Sequence, residues 1–306
     1  MTTEIIPFAE AEPLLDWAAL TQALAAGHEL PRAEIRDIFL RRGPDTLLSR
    51  AAWIDGMGSA VKTATIFPGN PAQDKPTVNG AVNLYSDSDG TLEAIVDFHL
   101  VTKWKTAGDS LLAASRLARP DSEVILIVGA GSVGHSLYEA YSSLFPGARF
   151  LVWNRSAAGA ARMASAFSDV SVAPDLEAAV RQADIVASAT MTQTPLIKGA
   201  WLRPGQHIDL IGAYRSDMRE ADDTALRLAR IFVDSRATTL GHIGEIQIPL
   251  DQGVISEADI VADYYDLKSG GFARRSAEEI TLFKNGGGAH LDLMTSRYVL
   301  EAWRRR

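Results

Sequence analysis

The sequence predicts an α/β protein whose larger part is a doubly wound parallel sheet. Three observations carry this. Five short apolar runs, VILIV, RFLVW, IVASA, HIDLI and RIFVD, recur between residues 124 and 234 with helical stretches between them. Parallel strands need that alternation, because each must be joined to the next by a crossover. The first run leads directly into Gly129-Ala130-Gly131-Ser132-Val133-Gly134 and then into the amphipathic stretch HSLYEAYSSL. The hundred residues upstream follow a different pattern, one helix and then strands bounded by turn signals.

Taken in order, residues 12–28 (EPLLDWAALTQALAAGH) carry apolar positions at helical spacing and stop at Gly27. DTLLSRAAWI and SAVKTATIF are short, rich in apolar and β-branched residues, and predict strands. TVNGAVNLYSDSDGTLEAIVDF predicts two strands joined by a turn at Asp89-Gly90. A mostly antiparallel sheet is therefore expected here. From Thr102 the character changes. TKWKTAGDSLLAASRLAR predicts a helix closed by Pro120, which puts Lys105 and Thr106 at a strand-to-helix junction. The five buried-strand runs follow. In the last segment Ser276 is followed three positions later by Glu279, a capping-box pattern, and a final helix begins after Gly286-Gly287-Gly288.

Composition excludes several classes. Of 306 residues, 47% are apolar and 22% charged, which suits an ordinary folded chain with a sizeable core. Thirty basic residues against 38 acidic ones give a net charge of −8, no electrostatic footprint for nucleic acid. The closing Arg304-Arg305-Arg306 reads as a solvated tail. The absence of cysteine removes disulfides, thiolate metal sites and thiol nucleophiles, and the six histidines show no ligand spacing, so no metal is expected. The opening MTTEIIPFAEAEPLLDW lacks the basic and apolar regions of a signal peptide, and no run of about 18 apolar residues occurs. No membrane association is expected, and a cytoplasmic location is.

The glycine loop implies a dinucleotide. Gly129 would make the tight turn, Gly131 would let backbone approach a pyrophosphate, and Gly134 would let the helix pack on its strand. Ser132 and Val133 open the helix, whose free N–H groups suit phosphate oxygens. At the end of the second strand an acidic residue would bind the 2′-hydroxyl of NAD. FLVWNRS ends instead on Asn154, Arg155 and Ser156. Arg155 can pair with a 2′-phosphate and its two neighbours can add neutral hydrogen bonds, so NADP(H) is favoured, with NAD(H) possible if Arg155 is merely a surface residue. Among cations outside the loop, Lys62 stands within an apolar strand, where a lysine ordinarily points to solvent.

These stretches together resemble the ornithine cyclodeaminase/μ-crystallin superfamily. The resemblance rests on VKTATIFPGNP, PTVNGAVNLYS, LVTKWKTAGDSLLAASRLARPDS, VGAGSVG, ADIVASATMTQTPLIKGAWLRPGQHIDLIGA, MREAD and EEITLFKNGGGA, which follow one another in the same order across roughly residues 44 to 292. It implies a Rossmann domain, residues 108–288, inserted in a discontinuous α+β substrate-binding and dimerisation domain, residues 1–107 plus 289–306. It also implies a homodimer, a small imino or amino acid as substrate, and a cofactor site extended by Ala189, Thr190 and Gly212. Lys62 falls on the family lysine that contacts the substrate carboxylate. Lys105 replaces the arginine that most members carry in LRTAA, exchanging a bidentate fork for a point charge. Arg50 stands where members with an MPAW-like strand have methionine, and either reads a second polar or acidic group or turns outward.

One departure bears on the reaction. Ornithine cyclodeaminases carry an aspartate where LIGAYRSDMREAD has Tyr214 after Ala213, and a phenol with pKa near 10 is a poor base at neutral pH. The resemblance then implies an NAD(P)H-dependent imine reductase acting on a C=N bond beside a carboxylate, as in Δ1-pyrroline-2-carboxylate. Lys62, Lys105 and Thr106 are the candidate catalytic residues, with Lys62 as a donor or relay of the imine proton. Asp217 and Glu220 are expected to cap or orient their loop, and His290 and Asp292 to pack in the core. The alternatives are ornithine cyclodeaminase, an alanine dehydrogenase-like enzyme and a μ-crystallin-like NADP-dependent binding protein.

Overall fold

A computed structural model describes residues 2–306. The chain divides into Met1–Lys105 with Gly288–Arg306, and Thr106–Gly287.

The first unit contains β1 (Glu4–Ile6), α1 (Phe8–Ala11), α2 (Trp17–Gly27), β2 (Glu34–Arg42), β3 (Asp45–Ile54), β4 (Gly58–Ile66), β5 (Val78–Tyr85), β6 (Leu92–Asp97), the first turns of α3 (Phe98–Leu117) and the C-terminal helix Ala289–Arg304. Its sheet runs β1-β6-β5-β4-β3-β2, antiparallel except for the parallel pair β1–β6. The Asp89-Gly90 turn forms, with Gly90 at φ 70° and Ser86 N–H donating to the Thr91 carbonyl. Strand alternation decides the position of the charges. Ala60, Lys62 and Ala64 point to the buried face of β4, and the register sets Asp37 against Arg50 and Arg50 against Lys62. Cross-strand partners share a face, so a carboxylate and two cations form one row across β2, β3 and β4. The C-terminal helix is tied to this unit by Tyr298, whose hydroxyl meets Asp16 N and O at 2.8 and 3.0 Å, and by Arg297, bonded to Glu93 and to the Met57 and Tyr85 carbonyls.

Helix α3 begins earlier than the sequence predicts. Asp97 Oδ1 accepts from His99 N (2.8 Å) and Leu100 N (2.9 Å), capping the helix at Phe98. Lys105 and Thr106 therefore lie two turns inside a helix and not at a strand-to-helix junction. The β-branched pair Val101-Thr102 gives the segment a strand-like look, which the cap overrides.

The second unit holds β7 (Val124–Val128), α4 (Ser132–Leu144), β8 (Arg149–Trp153), α5 (Ala157–Ala166), β9 (Val170–Val172), α6 (Leu176–Gln182), β10 (Ile185–Ser188), β11 (His207–Leu210), α7 (Asp223–Leu228), β12 (Arg230–Val233), α8 (Arg236–Thr239), α9 (Gly244–Asp251), β13 (Ile260–Ala262) and β14 (Thr281–Lys284). All neighbours in the order β13-β12-β14-β11-β10-β7-β8-β9 are parallel. The capping-box pattern at Ser276 opens no helix. Its hydroxyl does accept from Glu278 and Glu279 N–H, but the Glu279 carboxylate turns to Arg230 and to Arg275 N. The following TLFK, buried at all four positions, becomes β14 between β11 and β12.

Candidate functional sites

In the second unit the glycine loop shapes a cavity of about 700 Å³. Gly129 sits at φ 111°, where a side chain is strained, and a Cβ there would lie 2.9 Å from the Ala189 carbonyl oxygen. A Cβ on Gly134 would meet the Gly129 carbonyl oxygen at 2.1 Å, so the first turn of α4 rests on the loop. Gly131 differs: nothing lies within 4 Å of where its Cβ would be. It precedes α4 without a side-chain cap, leaving the N–H groups of Ser132, Val133 and Gly134 without intrahelical partners. An open position over a helix N-terminus fits a pyrophosphate.

The cavity continues along Trp153, Asn154 and Arg155 at the end of β8, Ala189 to Thr194 after β10, and Arg215. Asn154 fastens the glycine loop, accepting from Ala130 N (3.3 Å) while its amide donates to the Ser156 carbonyl (3.0 Å). Ser156 itself precedes α5 and does not line the cavity. Arg155 is exposed and lines it, and its guanidinium makes no hydrogen bond or ion pair among the described residues. Gly212 stands behind the wall, where a Cβ would meet Thr190 N at 2.2 Å.

Glu220 joins the loops after β10 and β11. One carboxylate oxygen accepts from Ser188 Oγ (2.6 Å), Thr190 N (2.7 Å) and Thr190 Oγ1 (2.9 Å), the other from Gly212 N (2.6 Å) and Ala213 N (3.1 Å). Burial raises its pKa against the pull of Lys284 and these donors. Glu245 on α9 accepts from Glu220 N and Ala221 N, and burial beside the Glu220 carboxyl pushes it up to about 7. Glu220 thus orients the cofactor-cavity wall. Tyr214 is 58% exposed. The acid nearest it in sequence, Asp217, bonds Arg215 at 2.8 Å and is held down at about 2 by that guanidinium. Asp217 also accepts from Gln193.

The first unit holds a smaller cavity of about 200 Å³ whose polar lining is Arg50, Lys62, Thr102 and Lys105. Leu48, Ile66, Val78 and Phe98 supply apolar walls. Arg50 therefore faces the pocket, where its fork grips Asp37 at 3.2 and 2.8 Å and one nitrogen lies 4.0 Å from Asp292. Lys62, 6% exposed, donates to Asp292 Oδ1 (2.9 Å) and Thr102 Oγ1 (2.7 Å), and lies over the Phe98 ring at 4.6 Å. Burial lowers its pKa to about 8, with Asp292 opposing and the Lys105 and Arg50 charges assisting that fall. Asp292 is thus no core-packing residue; it pairs with the buried lysine. In sequence Asp292 stands between Leu291 and Leu293, which gives no sign of this pairing. His290 fits the core-packing expectation better: burial holds its imidazole at about 3, hence neutral, edge-on to His28.

Thr106 is absent from the cavity lining, and its carbonyl accepts from Asn285 within the second unit. Thr102, one turn earlier on α3, is the threonine that lines this cavity. The spacing of Phe98, Thr102 and Lys105, four and three residues apart on one helix face, is the sequence signal that identifies Thr102. Among the described residues no group of three His, Asp or Glu side chains could hold a metal, and no helix is long and apolar enough to cross a membrane.

Comparison with known proteins agrees with this geometry. The model of the ornithine cyclodeaminase/mu-crystallin family matches residues 53–306. The chain is 51% identical over 302 residues to a Delta(1)-pyrroline-2-carboxylate reductase of Paracoccus denitrificans, covering 97% of this chain and 96% of that protein. Among solved structures it is similar to Thermococcus litoralis Delta(1)-pyrroline-2-carboxylate reductase in complex with NADH and L-proline, with TM-score 0.89 and 25% identity over 99% of this chain and 98% of that one. An archaeal alanine dehydrogenase dimer with bound NAD gives TM-score 0.90 and 28% identity over 100% and 97%. This chain belongs to the ornithine cyclodeaminase/μ-crystallin family.

Proposed function

We propose that the chain is an NAD(P)H-dependent reductase of the C=N bond of Δ1-pyrroline-2-carboxylate or a closely related α-imino acid. The observation that carries this is the cationic lining of the pocket in the first unit. Three cations, Arg50, Lys62 and Lys105, face two carboxylates, Asp37 and Asp292. Cations beside apolar walls suit a monocarboxylate with an apolar body against Leu48, Ile66, Val78 and Phe98. Arg50 is engaged by Asp37, which disfavours a second substrate carboxylate. The names of the relatives support the same substrate.

Gly131, the N-terminus of α4, Asn154 and Arg155 would hold the dinucleotide. When bound, its reduced nicotinamide supplies a hydride to the imine carbon, and the imine nitrogen takes one proton. Lys62 has three N–H groups, two of them given to Asp292 and Thr102, which leaves one for the substrate. Together with Lys105 it fixes the carboxylate, and such positioning provides much of the rate. An ammonium lowered to about 8 also gives up a proton near neutral pH more readily than an ordinary lysine, so Lys62 is assigned the proton relay to nitrogen. Tyr214 offers no base for ammonia loss. The decisive assay follows reduced-nicotinamide absorbance with Δ1-pyrroline-2-carboxylate and L-ornithine. Turnover of the imino acid to L-proline is expected. Ammonia release from ornithine, without imino acid turnover, would replace this function by cyclodeamination.

NADPH is the proposed preference, on the unpaired Arg155 and the lack of an acid at the end of β8. Losing one charge-assisted hydrogen bond costs about 1.5–3 kcal/mol, so Arg155→Ala should weaken NADPH binding by on the order of 10–100-fold and leave NADH nearly unchanged. A wild type that prefers NADH in titration would refute this preference.

A homodimer is proposed through β2. This nine-residue edge strand leaves Ile38, Phe39 and Leu40 at 56, 54 and 60% exposure, and long apolar edges ordinarily find a partner. Light scattering should give twice the chain mass for the wild type and a lower mass for Phe39→Lys. A wild-type monomer at micromolar concentration would exclude it.

A further inference from the structure

We propose that Asp292 is a positioning residue that keeps Lys62 in its ammonium form within the pocket, with Thr102 as its neutral assistant. The proposal rests on the assignment of Lys62 to the substrate carboxylate and deepens it. Asp292 is 1% exposed and directs Oδ1 at Lys62 from 2.9 Å, while its Oδ2 makes no hydrogen bond among the described residues. Thr102 donates its own hydroxyl proton to the Phe98 carbonyl at 2.7 Å. Toward Lys62 it can therefore only accept, so both partners require the lysine to donate.

The other groups around Lys62 act the opposite way or not at all. Lys105 on α3 and Arg50 on β3 repel its charge, and Arg50 is itself partly neutralised by Asp37 on β2. From the C-terminal helix, neutral His290 adds no negative charge. Val82, opposite Lys62 on β5, is apolar. Among the described residues Asp292 is the one carboxylate bonded to Lys62. Nor is the pair needed to dock the C-terminal helix, which Tyr298 and Arg297 already fasten. A buried ion pair is in any case weak evidence of net stabilisation against an apolar alternative. Its effect here is on protonation. Without Asp292, desolvation and two like charges act on Lys62 unopposed, and its pKa falls below about 8.

The test uses the full chain carrying Asp292→Asn. The pH dependence of Lys62 acetylation by acetic anhydride, followed by peptide mass spectrometry, reads the lysine directly and needs no substrate. Its midpoint should drop by about one unit or more relative to the wild type. In parallel, KM for the imino acid should rise near neutral pH, by about twofold for a one-unit drop and about tenfold for two, with a smaller change in kcat, and the defect should shrink in mild acid as Lys62 regains its proton. An unchanged acetylation midpoint, or a loss of kcat equal at every pH, overturns the proposal in favour of a structural role. Should Asp292→Asn not fold, Thr102→Val carries the same measurement, with a smaller downward shift expected and an unchanged midpoint again overturning it. If no imino acid is turned over, the reductase assignment fails while the acetylation profile still decides the role of Asp292.

Discussion

Lys62→Ala is expected to lower kcat/KM by at least about 10–100-fold, the cost of one charge-assisted hydrogen bond to a carboxylate. It should also destabilise the fold by roughly 3–5 kcal/mol, because Asp292 is then left buried without its partner. Lys62→Met combined with Asp292→Asn removes both charges, and should recover most of the stability in denaturant unfolding but none of the activity. The wild-type pH profile separates the two roles of the lysine. The ammonium binds substrate, so kcat/KM should fall as pH rises through about 8. Stability moves the other way. Burial makes the folded pKa lower than that of the unfolded chain, so the folded state carries fewer protons between about 8 and the ordinary lysine value, and this group's penalty lessens as pH rises across that window. A Lys62→Ala variant with wild-type kcat/KM would remove the anchor from the mechanism.

Two alanines in the glycine loop should fail in different ways. Gly134→Ala places a Cβ 2.1 Å from the Gly129 carbonyl oxygen. A backbone atom cannot rotate away, so α4 must shift, at a cost of about 1–3 kcal/mol or more, and both the melting temperature and cofactor affinity should drop. Gly131→Ala meets no protein atom within 4 Å and keeps an extended backbone, with φ −88° and ψ −172°, that alanine adopts freely. Its melting temperature should match the wild type. The added methyl would instead occupy space that a pyrophosphate needs, weakening NADPH by on the order of 10–100-fold, about 1.4–2.7 kcal/mol. Thermal melts paired with fluorescence titration distinguish the two variants. Wild-type NADPH affinity in Gly131→Ala would mean that the phosphates do not approach this helix.

Much of the nucleotide unit was legible because its signals are local. Strand, glycine turn and helix are neighbours in sequence, and Gly129 and Gly134 answer to a positive φ and to a close approach within that short segment. The edge residues Asn154 and Arg155 followed from the same continuity. The motif order likewise identified the family, and the turn at Asp89-Gly90 fixed the pairing of β5 with β6. Alternation along SAVKTATI even contains the inward direction of Lys62, since Ala60 and Ala64 share its parity. That parity has no meaning, though, until one face of the sheet is known to be covered.

What tertiary structure decided were the relations between distant segments. The Lys62–Asp292 pair spans 230 residues and the Lys62–Thr102 bond 40; no periodicity in either segment encodes the other. The capping-box letters at Ser276 kept their local hydrogen bonds yet opened no helix, because TLFK gains more by filling the gap between β11 and β12. The start of α3 at Phe98 likewise depended on the cap from Asp97, which moved Lys105 and Thr106 into a helix interior and brought Thr102 to the pocket. Sequence determined the elements and the cofactor loop, where the controlling forces act between neighbours. The partners that hold the buried charge of Lys62 come from α3 and the C-terminal helix, and they reach β4 only once the chain has folded.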